Sequence, residues 1–112
     1  MFGGTKGSGK LVRELRDIKI LRSTPAKGWK AVYAVRGENG RAKVEEERIS
    51  VFALCEDDEG TRFVSGVCQG DGLCVMRDDF VGHFSVKESR RKIREAAERF
   101  VRTKAQERGE QI

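Results

Sequence analysis

The middle of the chain is a run of short stretches rich in β-forming residues, and short turn sequences separate them. Four such stretches lie at residues 29–36, 49–55, 61–69 and 73–77. The first is followed by Asn39-Gly40, which is typical of a type I′ hairpin turn whose two central residues both need positive φ. The partner strand is expected to begin near Ala42, and Glu45-Glu46-Glu47 to lie on an exposed edge or in a bend. The pattern therefore predicts an antiparallel meander.

The C-terminal part of the chain has the apolar spacing of an amphipathic helix. Ser85-Val86-Lys87-Glu88 reads as a capping box, so the helix is expected at about 86–108. Its apolar stripe would consist of Val86, Ile93, Ala96, Ala97, Phe100 and Val101. The predicted fold is α+β: a four- or five-stranded antiparallel, partly barrel-like meander packed by this long helix.

Length and composition favour a single domain. The 112 residues are enough for one modest core, over residues 11–112, after a flexible basic segment at 1–10. A short helix near 11–16 is expected to pass into a strand near 18–23. Since no apolar stretch is long enough to span a bilayer and no secretory signal pattern is present, a cytoplasmic protein is expected.

The three cysteines, Cys55, Cys68 and Cys74, are odd in number and contain no Cys-x-x-Cys pair. A two-residue turn at Asp71-Gly72 would place Cys68 and Cys74 on opposite faces, whereas a three-residue loop would pair them on one face. A zinc site would also need Cys55 and His83 to converge. We therefore expect no bound metal and no essential disulfide.

No cofactor or catalytic site is predicted. Gly4 to Lys10 resembles the start of a phosphate-binding loop, but Leu11 stands where a Ser or Thr would bind magnesium, and only three residues precede Gly4. His83 is expected in a loop, where Asp78 or Asp79 would orient it if it served as a base. No nucleophile accompanies it, so we expect a protein that is not an enzyme.

Charge is sorted along the chain. Residues 1–36 hold nine Lys/Arg against two Asp/Glu, residues 37–85 five against eleven, and residues 86–108 nine against four. The predicted nucleic-acid-binding residues lie together on one side of the C-terminal helix: Lys87, Arg90, Arg91 and Arg94. With the basic N-terminal arm they favour a sequence-tolerant nucleic-acid-binding protein. The alternative is a protein-interaction or self-assembly module in which the basic helix meets the acidic sheet of a neighbour.

One resemblance extends over residues 25–84. The order of Pro25-Ala26-Lys27-Gly28-Trp29, the apolar strands at 51–54 and 64–67, and Phe80-Val81-Gly82 resembles that of small uncharacterised bacterial proteins. These have a Pro-Ala-x-Gly-Trp start, two apolar strands and a final Phe-x-Gly turn. The resemblance implies a β-rich fold and a bacterial origin, and it implies no activity.

Overall fold

The computed structural model describes residues 18–68 and 72–109. The strands are β1 (Lys19–Pro25), β2 (Trp29–Arg36), β3 (Ala42–Glu56), β4 (Arg62–Cys68), β5 (Gly72–Leu73) and β6 (Phe80–Ser85); a 3₁₀ helix covers Cys74–Met76 and helix α1 covers Arg90–Glu107. Every strand pair is antiparallel, so the α+β prediction is confirmed, with six strands rather than four or five. The predicted flexible segment at 1–10 and short helix at 11–16 lie outside the described residues.

The strand order departs from a simple meander at both ends of the series, at β1 and at β6. Strands β2 to β5 are neighbours in chain order, but β6 pairs with β2, which gives β5-β4-β3-β2-β6 with β1 paired to β3. Among the described residues β5 and β6 each pair with a single strand, so the sheet is open and the expected barrel-like closure is absent. Phe80 to Gly82, expected as a turn, and His83, expected in a loop, both belong to β6.

The β2–β3 turn is a hairpin turn, as predicted, but of another type. Gly40 has φ +83°, whereas no non-glycine residue among those described has positive φ, so Asn39 is not in the left-handed region. The amide of Gly40 donates to the carbonyl of Gly37 (3.0 Å), and the amide of Gly37 donates to the carbonyl of Arg41 (2.7 Å). This is a type I turn followed by a glycine bulge, which also suits the right-handed strand twist.

The chain divides into two compact units, and β3 passes through both. The first unit includes residues 18–27, 49–68 and 72–78. Its strands are β1, β4 and β5, with the second half of β3. Its core is built around buried Ala53, Cys55 and Leu73, against which pack Ile18, Phe63, Val67 and Met76.

The second unit includes residues 28–48 and 79–109. It contains β2, β6, the first half of β3 and α1. Helix α1 buries Ile93, Ala97, Val101 and Ala105. Ala97 and Val101 form a cluster with Ala34 and Ala42, and half-buried Phe100 packs against it. The predicted stripe is therefore confirmed along the helix, except that Val86 lies before the helix begins.

Helix α1 begins at Arg90, four residues later than expected. Its N-cap is Ser89, whose hydroxyl accepts the Lys92 amide at 3.2 Å. The predicted capping box at Ser85 is wrong, because the Ser85 hydroxyl accepts the Lys87 amide (3.1 Å) within a turn that precedes the helix. No helix in the described parts of the chain is long and apolar enough to cross a membrane.

Candidate nucleic-acid interface

The four predicted nucleic-acid-binding residues are all exposed, but they do not share one helix side. Arg90, Arg91 and Arg94 lie in the first two turns of α1, while Lys87 lies in the turn before it. Arg90 and Arg94 are four residues apart and therefore lie on the same side of the helix. Within residues 18–68 and 72–109, Lys87, Arg90 and Arg91 form no ion pair. Their charges are therefore not neutralised by described carboxylates.

Arg94 links the helix to the β2–β3 hairpin. Its guanidinium donates to the carbonyl of Ala42 at 3.2 Å and to Glu98 Oε2 at 3.1 Å. The same Glu98 oxygen accepts the amide of Ala42 at 3.2 Å. These contacts hold the positive charge of Arg94 beside the start of β3, although Glu98 neutralises part of it.

An open concavity of about 970 Å³ lies between the hairpin and the helix within the second unit. Four cationic side chains line it, from three segments: Arg36, Arg41, Lys43 and Arg94. The only carboxylate among its described lining residues is Glu38. Glu98 lies behind Arg94 and also approaches Arg41, with 3.8 Å between Arg41 Nε and Glu98 Oε2. Four cations against two carboxylates leave this surface positive.

The hairpin cations were not predicted as part of a site. Arg41 and Lys43 lie in the acidic middle of the sequence, about fifty residues from Arg94, so charge averaged over that segment conceals them. The β2–β3 register pairs Arg36 with Ala42 and Val35 with Lys43, which gathers the three cations around one turn. The sequence feature that could have revealed them is the presence of cationic residues on both sides of the Asn39-Gly40 turn.

His83 has the surroundings of a packed side chain. It lies in β6, half-buried, with its ring centroid 4.9 Å from that of Phe80 in an edge-to-face arrangement. Burial lowers the pKa of the His83 imidazole, so the neutral form is favoured near neutral pH. This environment favours a packing role over the base considered from the sequence.

The cysteines are buried thiols in the first unit. The Sγ atoms of Cys68 and Cys74 are 3.1 Å apart, while the Cys55 thiol contacts the carbonyl of Ala53 at 3.6 Å. Neither register considered from the sequence is correct, because Cys68 pairs with Gly72 and Val67 with Leu73. Among the described residues no three His, Cys, Asp or Glu side chains are grouped in a way that would hold a metal ion.

No protein-family model matches the chain, and comparisons with curated proteins and with solved structures also give no match.

Proposed function

We propose that this protein is a non-catalytic nucleic-acid-binding protein of the cytoplasm that contacts the phosphate backbone. The observation that carries the proposal is the concavity lined by Arg36, Arg41, Lys43 and Arg94. It is wide, open and cationic, as a site for a chain of phosphates must be. Arg90, Arg91 and Lys87 extend the positive surface along the start of α1 and the preceding turn.

The residue types suit phosphate recognition without base reading. A guanidinium donates two parallel hydrogen bonds to a phosphate, and its charge persists at all physiological pH values. Contacts of this kind position a nucleic acid but carry no sequence information. Each neutralised phosphate releases counterions, so affinity should fall steeply as salt is added. We therefore expect sequence-tolerant binding, to which the basic N-terminal arm would add further charge.

The test compares variants that each lose two positive charges. The hairpin variant carries Arg41→Gln and Lys43→Gln, in the concavity. A matched control carries Lys92→Gln and Arg99→Gln, which are exposed and lie on the other side of α1 from Arg94. Fluorescence anisotropy with labelled single-stranded and duplex oligonucleotides, over a series of salt concentrations, gives affinities and salt slopes.

We expect the hairpin variant to bind more weakly than the wild type and to flatten the salt slope by about one to two units. The control should keep most of the affinity and the slope. Equal weakening by both variants would show that net charge alone is responsible and that the concavity is not the site. If the wild-type protein does not bind either oligonucleotide at about 100 µM and low salt, the proposed function is wrong.

A variant of the helix start tests the residues predicted from sequence separately. Arg90→Gln with Arg91→Gln removes two charges that no described carboxylate neutralises, so it should weaken binding at least as much as the hairpin variant. Wild-type affinity in this variant would restrict the interface to the hairpin and Arg94.

The second candidate function is a protein-interaction or self-assembly module. It is supported by the edge of β3 over Ala42–Arg48, which among the described residues pairs only with β2. The acidic run Glu45-Glu46-Glu47 lies in this segment, as the edge alternative predicted from the sequence requires. A basic helix could meet such an edge in a neighbouring molecule.

A further inference from the structure

Two thiols of the first unit lie in contact. The Sγ atoms of Cys68 and Cys74 are 3.1 Å apart, and each residue is 1% exposed. The third cysteine, Cys55, is buried too, but its thiol contacts a backbone carbonyl, that of Ala53. The three cysteines are thus divided by the fold into a pair and a single thiol.

The local backbone brings the pair together. Cys68 faces Gly72 across the β4–β5 ladder. Cys74 lies two residues further along, on the same face, where the strand ends and the 3₁₀ helix begins. The Ser65 hydroxyl, itself fully buried, accepts the Val75 amide at 3.2 Å and so holds this helix against β4.

The sulfur separation fits a dithiol better than two ligands of one metal ion. Two thiolates on a tetrahedral zinc, each with a bond of about 2.3 Å, would lie about 3.8 Å apart. A disulfide needs about 2.05 Å between the sulfurs, so the observed pair must close by about 1 Å. In addition, the residues described around the pair include no group of three ligands for a metal.

We propose that Cys68 and Cys74 form an oxidisable dithiol whose co-reactant is hydrogen peroxide and whose product is an intramolecular disulfide. One thiolate attacks a peroxide oxygen, so that an S–O bond forms, the O–O bond breaks, and the departing hydroxide takes up a proton to become water. The second thiolate attacks the resulting sulfenic sulfur, so that the S–S bond forms and the S–O bond breaks, releasing a second water. Both sulfurs are oxidised and the peroxide is reduced.

Access to the buried pair requires local opening. Strand β5 is only two residues long and is held by two residue pairs, Val67 with Leu73 and Cys68 with Gly72. So short a ladder opens at a lower free energy than the global unfolding of the domain. Hydrogen peroxide is therefore expected to reach the pair, and the reaction does not depend on the proposed nucleic-acid site, which lies in the other unit.

Trypsin separates the single thiol from the pair. Cleavage after Arg48, Arg62 and Arg77 places Cys55 on the peptide 49–62, and Cys68 together with Cys74 on the peptide 63–77. The native protein is treated with hydrogen peroxide, blocked with a thiol-alkylating reagent in denaturant, digested and analysed by mass spectrometry. The expected result is that peptide 63–77 loses two hydrogen atoms and escapes alkylation, while peptide 49–62 is alkylated. Treatment with a thiol reductant before blocking should reverse the change.

Substitutions complete the test. A Cys55→Ala variant should still form the disulfide, whereas Cys68→Ala should leave a sulfenic acid on Cys74 that a dimedone probe labels. The proposal would be overturned by peptide 63–77 that remains fully alkylated after peroxide treatment, that gains oxygen on Cys68 or Cys74 instead of losing hydrogen, or that becomes linked to peptide 49–62. Oxygen on Met76, which peroxide also oxidises, is assigned separately by fragmentation of the peptide. The peptide outcomes are measured on the wild-type chain, so this part of the test does not depend on the folding of a variant.

Discussion

Gly66 lies at a position where the core leaves no space for a side chain. A Cβ atom built there would lie 2.8 Å from Ile49 Cδ1 and 3.1 Å from Ile49 Cγ1 and Cγ2, distances that real side chains avoid. The glycine is buried in β4 and pairs with Phe52 of β3. Its conservative replacement by alanine therefore introduces an overlap that the neighbouring strand must relieve.

We predict that Gly66→Ala lowers the free energy of unfolding by about 1–3 kcal/mol, because inserting a methyl group into a packed core forces its neighbours to shift. Urea denaturation measures the change. Ile49→Val removes the atom in closest contact and alone should cost about 0.5–1.5 kcal/mol. The double variant should lose less than the two single losses added together. If the losses are simply additive, the overlap with Ile49 is not what makes Gly66→Ala costly.

At the scale of elements, the start of α1 is capped by the hydroxyl of Ser89, which accepts the Lys92 amide. We predict that Ser89→Ala costs about 1 kcal/mol of stability, since a helix N-terminus then loses a cap. Amide hydrogen exchange gives the sharper measurement, because the Lys92 amide should exchange faster in this variant. Ser85→Ala is the matched control, and there the Lys92 amide should keep its rate. If Ser85→Ala instead speeds exchange of the Glu88 amide while Ser89→Ala leaves the Lys92 amide unchanged, the capping box at Ser85 is restored.

Much of the element structure could be predicted from local sequence. The period-two pattern of β2 and of the second half of β3 was sufficient to predict both strands, because each contains β-forming residues and has a turn sequence next to it. The helix stripe was recognisable for the same reason. The helix start was missed because Ser85 and Ser89 both precede it at capping positions, and only the path of the backbone selects between them.

The remaining features depend on contacts between distant parts of the chain. Strand β6 is stabilised by β2, about fifty residues earlier, and its own sequence has no clear alternation. The cationic concavity depends in the same way on Arg94 meeting a hairpin that precedes it by a similar distance. Short-range patterns predict elements well, but they do not predict which elements become neighbours. For this reason three of the four cations that line the concavity were absent from the sequence prediction: Arg36, Arg41 and Lys43.

At the scale of the whole molecule, the sorted charge would serve either binding to a polyanion or association between copies of the chain. The molecular mass of the protein in solution distinguishes the two. If the basic helix met the acidic β3 edge of a neighbour, the complex would dissociate as salt is added. Within one molecule Lys30 already binds Glu46 at 2.8 Å. In addition, three adjacent glutamates on an exposed edge oppose the pairing of two identical edges.

We therefore predict a monomer of 12.6 kDa at both low and high salt. Sedimentation equilibrium at about 50 mM and about 200 mM salt, the range over which phosphate contacts weaken strongly, measures the mass without nucleic acid present. A dimer at low salt that dissociates at high salt would favour the interaction module. In that case Glu45→Gln should weaken the dimer, whereas Glu59→Gln, which lies in the β3–β4 turn, should leave it unchanged. A monomer throughout would contradict the interaction module in which a basic helix meets the acidic edge of a second copy, and it would leave the positive surface of the hairpin and helix available for the proposed binding of a polyanion.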